Sequence, residues 1–519
     1  MSLPGLELTQ PSEERSQAPA PPSQISLTPG SEWRFEVAFG HVIKVKLLNG
    51  TAELFGTELA ESQTYTFTGT KAAIFTWHGC ALEVTAVETA STTSDGVTPT
   101  VGHGAGGCQS EYTAEETPMV EYANVHFALE TMREEAQSIG KDGPRVLLLG
   151  SENTGKTSLA KILTAYATKI GRQPLVVNLD PTEGMLGVPG TLTATAFRTI
   201  LDVEDGWEVV PCPGPALPLD GEGVVYRPVV SRLALSVTGR MAEDEDARET
   251  GIIVDTPGIL GTDKPGTMEL INHIVTEFSI TTILVLGSER LYSTVARQYD
   301  NKPTSSATAA VFDEHISVVK LSKSGGCADR DDAFRKATRE SQIRSYFFGN
   351  PIPSSSPSSA ITLSPHAQQL DFASLPVYNY TATPSSPGGG GMDDYTPQET
   401  KQDPDRAAPL PGVVGSFSES TDNANSNANA INGSSVPLKK VLPPAPSALA
   451  NTLLAITHAP TTASPAEVRD ASIMGFLYVA DVDADKGKIR VLAPVGGRMP
   501  PRAIIWAKRW PGELVGLVG

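Results

Sequence analysis

The stretch from Arg145 to Ala167, RVLLLGSENTGKTSLAKILTAYA, constrains this chain more than any other. Val146 to Gly150 are apolar or nearly so and read as a buried strand, and after Ser158 the residues Leu159, Ile162, Leu163 and Tyr166 recur at helical spacing. Between strand and helix lies Gly-Ser-Glu-Asn-Thr-Gly-Lys-Thr, the pattern G-x-x-x-x-G-K-[ST] in the setting that makes it specific. Its glycines let the backbone bend around an anion with successive N–H groups turned inward, and the helix N-terminus adds partial positive charge. Lys156 is expected to reach the β- and γ-phosphates and Thr157 to hold a magnesium ion. Asn153, Thr154, Gly155 and Ser158 complete the phosphate-binding loop. The pattern implies a nucleoside triphosphate, ATP or GTP, bound with Mg2+.

At 519 residues the chain has room for two to four domains, each with its own core. A net charge of −19 argues against a bare polyelectrolyte binder of RNA or DNA, which would show a basic face, though it leaves room for a local basic cleft. Cys80, Cys108, Cys212 and Cys327 are far apart and form no C-x-x-C pair, which suits reduced thiols in the cytosol or nucleus and offers no zinc site. No run approaches the length of an apolar membrane span, and the N-terminus is rich in Pro, Ser and Glu, so neither membrane insertion nor secretion is expected.

Residues 1–24 carry little that could form a core and read as a disordered arm. From 25 to 118 the text alternates: Trp33-Arg-Phe-Glu-Val, His41 to Leu48, Tyr65-Thr-Phe, Ala73 to Trp77 and Ala81-Leu-Glu-Val. Asn49-Gly50, between two such runs, is a hairpin signal, and the whole reads as an antiparallel β-domain with a loop insertion near 91–107. Met119 to Ser138 reads as a helix with Val120, Ala123, Phe127, Leu129 and Met132 as its apolar positions. Over 119–355 strands alternate with helices. Pro174 to Leu179, Gly251 to Val254, Thr281 to Leu286 and Ile316 to Leu321 are the further strands. That order implies an α/β domain, a parallel sheet with helices on both faces and ligands at the strands' carboxyl ends. Gly150, Asp180 and Asp255 all fall at such ends. A third set of strand signals fills 356–519, at Met474 to Val479, Lys488 to Leu492 and Ala503 to Trp506, interrupted by a low-complexity insertion near 384–436 that reads as disordered.

Asp255, closing IIVD before Thr-Pro-Gly, is the conventional second acidic residue of a phosphate-loop protein, near the metal. Asp-Thr-Pro-Gly also occurs in small GTPases, but those read guanine through N-K-x-D after a later strand. Here TTILVL leads into Gly-Ser-Glu-Arg, and Asn301-Lys302-Pro303-Thr304 lacks the aspartate.

Beyond the loop, the blocks Gly30-Ser-Glu-Trp, Glu53-Leu-Phe-Gly-Thr-Glu-Leu, Val188-Pro-Gly-Thr, Ser288-Glu-Arg-Leu-Tyr, Leu321-Ser-Lys-Ser-Gly-Gly and Arg339 to Gly349 extend over most of the chain. With them the sequence resembles the polynucleotide 5′-hydroxyl-kinase family that includes the ATP-binding subunit of the pre-mRNA cleavage and polyadenylation factor. The opening MSLPGLELTQ and the N-L-D-P text are most similar to its fungal cleavage-factor branch. The resemblance implies an N-terminal β-sandwich, a central P-loop NTPase domain and a C-terminal α/β domain, with ATP between the first two. It implies nucleotide contacts from Glu32 and Lys71, a catalytic carboxylate at Asp180 that also approaches the metal, and an arginine pair at Arg330 and Arg335, five apart in an expected helix. Its partners would be the scaffold subunit of cleavage factor IA that binds the polymerase II tail, the other cleavage and polyadenylation subunits and, indirectly, pre-mRNA, all in the nucleus.

The kinase chemistry is where the sequence departs. Glu183 stands where the family's D-x-x-Q motif has its amide, and Ile259 where active kinases carry a stacking Trp. An aliphatic residue offers no face to a base, and a lost stacked base costs on the order of 1–3 kcal/mol. These changes favour an ATP held as a structural ligand over an active RNA 5′-hydroxyl kinase, which stands as the alternative.

Overall fold

The computed structural model describes residues 22–87, 107–182, 184–204, 206–207, 217–218, 223–258, 266–305, 312–349, 363–380, 438–506 and 517. The two insertions and the arm lie almost wholly outside them, as do Glu183 and Ile259.

Period-2 patterning builds the N-terminal sandwich. In Val42–Gly50 the side chains of Ile43, Val45 and Leu47 are buried while Lys44 is exposed, as strand alternation requires. Ser23–Leu27, Cys80–Val87, Val42–Gly50 and Thr64–Phe67 form a four-stranded antiparallel sheet. Thr57–Glu58, Glu53–Leu54, Thr70–Phe75, Glu32–Val37 and Ser110–Ala114 form a five-stranded one. Trp33, Phe35, Ile74, Leu82 and Val84 share the core between them. Asn49-Gly50 is not a hairpin turn. Those residues continue their strand opposite Ala81 and Cys80, and the chain then crosses into the other sheet. The two-residue turn lies instead at Phe55-Gly56, between paired strands, where both residues have positive φ (47° and 85°) and match a type I′ turn.

In the central sheet the order is Leu217–Pro218, Thr191–Ala196, Leu175–Asn178, Ile252–Asp255, Arg145–Leu149, Thr282–Leu286, Ser317–Leu321. The last five are parallel, and Thr191–Ala196 runs antiparallel on the edge of Leu175–Asn178. Successive residues of Arg145–Leu149 feed opposite faces. Leu147 and Leu149 join the core with Val230, Leu233 and Ile274 of the helices Gly223–Glu243 and Thr267–Glu277. Val146 and Leu148 join Leu159, Leu163 and Leu129 of Lys156–Lys169 and Met119–Ile139. A sheet covered on both faces reads as unbroken apolar runs, which is why these strands were visible in the sequence.

The linking helix Met119–Ile139 corrects the expected apolar face. Met119, Tyr122, Ala123, His126, Leu129, Arg133 and Ala136 are buried, whereas Val120 and Phe127 are 60% and 64% exposed. Among the described residues the C-terminal domain is a seven-stranded, mostly antiparallel sheet with one short α-helix, Pro465–Asp470, started by a Ser464–Glu467 capping box. Helix Asp332–Phe348 joins it to the centre, with Phe347 6.5 Å from the Tyr478 ring and Tyr346 edge-on to Phe476 at 5.5 Å. Among the described residues no helix is long and apolar enough to cross a membrane.

Candidate functional site: a cavity over the phosphate loop

Gly150 to Gly155 turn the chain from the central strand into helix Lys156–Lys169. The turn needs left-handed backbone at Asn153 (φ 55°) and Gly155 (φ 88°). A Cβ on Gly155 would lie 2.6 Å from the Cys327 sulfur, so the loop is closed in from above as well. Lys156, buried, donates to the Ser151 carbonyl at 2.9 Å, and Thr154 Oγ1 to the same carbonyl at 2.8 Å. Thr157 Oγ1 donates to Asp255 Oδ2 at 2.6 Å, which joins two of the three residues expected at the metal, Asp180 being the third.

A cavity of about 1670 Å3 opens over this loop. Of the residues singled out in the sequence, Asn153, Thr154, Gly155, Lys156, Thr157, Ser158, Asp180, Glu32, Lys71, Arg330 and Arg335 all line it. Asp255 does not; it stands behind Thr157. Asp180 Oδ1 accepts from the Thr182 amide at 2.9 Å and hydroxyl at 2.6 Å, which holds the turn after its strand. Tyr226 donates to the Leu179 carbonyl at 2.8 Å, and burial, followed by the charge of Asp180, pushes its hydroxyl well up. Arg330 and Arg335 do not share a helix. The helix begins after the cap Asp331, so Arg330 precedes it, and Arg335 Nε donates back to the Arg330 carbonyl at 3.0 Å.

The segment from Ser322 to Phe334 straps the sandwich onto the loop. Tyr122 donates to the Ser322 carbonyl at 2.9 Å, Glu121 accepts from the Ser322 amide at 2.9 Å, and Arg335 donates to Glu152 at 2.8 Å. Lys71 binds Glu36 and the Asp329 carbonyl, both at 3.0 Å, with its ammonium 5.2 Å from the Phe334 ring. Tyr122, Glu152, Cys327 and Phe334 were not identified from the sequence. Burial pushes the Cys327 thiol up, and it, Cys80 and Cys108 are free thiols. No group of three His, Cys, Asp or Glu among the described residues could hold a metal by itself. The Thr157 hydroxyl and Asp255 carboxylate nevertheless fit magnesium, which takes few protein ligands and completes its shell with phosphate oxygens and water.

This geometry can be set beside known proteins. Residues 26–136 match the family described as the N-terminal beta-sandwich domain of polyadenylation factor, and residues 150–349 the mRNA cleavage and polyadenylation factor CLP1 P-loop. Residues 363–512 match the pre-mRNA cleavage complex II protein Clp1. The mRNA cleavage and polyadenylation factors clp1 of Aspergillus oryzae and Aspergillus terreus are each 66% identical to this chain, over 100% of both sequences. The chain belongs to the Clp1 family of mRNA cleavage and polyadenylation factors. The resemblance read from the sequence is borne out across all three parts of the fold. A solved Clp1p–Pcf11p complex superposes with a TM-score of 0.68 at 25% identity, covering 93% of this chain and 97% of that one. A second, at 24% identity and 0.68, covers 94% and 98% and is described as showing an extended Pcf11p–Clp1p interface and the basis of ATP loss in a glycine-to-arginine point mutant.

Proposed function

We propose that this chain is the ATP-binding subunit of the nuclear machinery that cleaves and polyadenylates pre-mRNA, and that ATP with magnesium serves it as a structural ligand. One observation carries this reading: the sandwich, the phosphate loop and the segment around Arg330 all wall one cavity. A ligand that needs all three together stabilises their assembly whether or not it reacts. Lys156, with Asn153, Thr154, Gly155 and Ser158, holds the phosphates; Thr157 and Asp255 hold the magnesium, which neutralises phosphate charge. Arg330 and Arg335 add cations from the far side, and Glu32 and Lys71 meet the nucleotide from the sandwich. Family membership and the Pcf11p complex of the solved relative support docking on a scaffold subunit that binds the polymerase II tail. Other cleavage and polyadenylation subunits, and pre-mRNA through them, complete the assembly.

Asp180 in the same cavity favours a second reading, an RNA 5′-hydroxyl kinase. Transfer of labelled phosphate from ATP to a 5′-hydroxyl oligonucleotide separates the two. The expected signal does not rise above that of a Lys156→Ala, Thr157→Ala control, because positioning groups on the nucleophile side are altered in the sequence. Turnover within the kinase range of about 1–100 per second would establish the kinase instead.

A further inference from the structure

Glu32 borders the cavity yet is 4% exposed, and a buried carboxylate needs partners. It has two. Oε1 accepts from Arg34 Nε at 2.5 Å, and Oε2 from Thr117 Oγ1 at 3.1 Å. Arg34 lies two residues on along the same strand, so both side chains leave one face of the sheet. Its other nitrogens are occupied too: Nη2 donates to the Glu116 carbonyl at 2.9 Å and Nη1 to the Tyr112 hydroxyl at 3.4 Å. Gly325 and Gly326 press on the guanidinium from the strap. A Cβ on Gly325 would lie 2.9 Å from Nη1, and one on Gly326 3.0 Å from Nε. Burial works against the charge on Arg34, but Tyr112 and Glu32 outweigh it and hold the group cationic. One guanidinium thereby ties the carboxylate to the edge strand, to the entry of the linking helix and to the strap.

We propose that Arg34 is a positioning residue that fixes the Glu32 carboxylate as an acceptor for the exocyclic amine of the bound base, so that the cavity selects a 6-aminopurine nucleotide. The inference rests on the reading of this cavity as an ATP site. Both oxygens of this carboxylate accept, from Arg34 and Thr117, and the N6 amine of adenine is a donor. A carboxylate left to swing would give up that bond. Lysine would keep the positive charge at position 34 but lacks the fork that reaches Glu32, Glu116 and Tyr112 together.

The test is the ratio of dissociation constants for ATP and purine riboside triphosphate, the same nucleotide without its amine, on full-length chain freed of nucleotide. Wild type should prefer ATP by about tenfold, the worth of one good hydrogen bond. Arg34→Lys should bring the ratio near one, and adding it to Glu32→Gln should change the ratio no further. Gly325→Ala, which crowds the guanidinium from outside the cavity, should lower the ratio too and serves if the Arg34 variant does not fold. A wild-type ratio in Arg34→Lys or Gly325→Ala, or equal weakening toward both nucleotides, would overturn the role given to Arg34. A wild-type chain that binds neither triphosphate would overturn the ATP reading itself.

Discussion

Lys156 and Thr157 head a helix whose inner side is buried in the central domain, one bonded to the Ser151 carbonyl and the other to Asp255. Replacing both by alanine should remove nucleotide-linked stability while leaving the helix intact, since alanine is the best helix former. A ligand bound only by the folded chain contributes RT ln(1 + [L]/Kd), about 4 kcal/mol at a thousandfold excess. Thermal melts with and without ATP and magnesium should show a rise of several degrees in wild type and none in the variant; an equal rise in both would contradict the role given to these residues. These two were legible because G-x-x-x-x-G-K-T is a local pattern. The pairings that close the cavity were not, because the partners are remote in the chain. Arg34 and Glu116 are 82 residues apart, Arg335 and Glu152 183, and Tyr122 and Ser322 200. Nothing in one segment announces the other.

At the scale of elements, the sandwich docks on helix Lys156–Lys169 through its Phe55-Gly56 turn and through Glu53, which accepts from the Tyr166 hydroxyl at 2.5 Å. Burial raises the pKa of Glu53 above its ordinary 4.5, the Tyr166 and Trp77 bonds offsetting only part of that. The folded chain therefore holds this proton more tightly than the unfolded one. The associated stability is fully present below about 4.5 and is lost as pH rises through the folded value. Glu53→Gln, neutral throughout, should gain on wild type as pH climbs from about 4 to about 7, seen as a narrowing or reversal of the gap in melting temperature. A gap that widened with pH would show that Glu53 is instead stabilised as an anion. Strands were easier to read than the linking helix for a related reason. Four of the five parallel strands are buried on both faces and spell themselves in Leu, Ile and Val, whereas the edge strand Ser317–Leu321 is exposed at three of its five residues. Met119–Ile139 buries Arg133, bonded to the Thr250 carbonyl at 3.0 Å, and leaves Val120 and Phe127 outside, so hydrophobic spacing was right for Ala123 and Leu129 and wrong for those two.

For the whole molecule, the three parts follow the domain order that the sequence implied, with one cavity shared by elements that no single stretch could have brought together. Tyr380 and Leu438 are direct partners in an antiparallel pair, so the ends of the chain around 384–436 already meet. Deleting 384–436 leaves four residues (381–383 and 437) to close that pair, an ordinary loop length. Closure entropy changes by only about 0.6 kcal/mol per halving of a flexible loop and in the stabilising direction. The melting temperature should hold or rise slightly, and a fall of several degrees would show that this segment packs on the body. The central claim, that the nucleotide is part of the structure, is open to a more direct measurement: the nucleotide released on denaturing full-length protein purified without added ATP, quantified by mass spectrometry. The expected result is about one ATP per chain, still a triphosphate after prolonged incubation with magnesium and 5′-hydroxyl RNA, as a ligand far above its Kd requires. Protein that carries no nucleotide, or that converts its ATP to ADP, would contradict it.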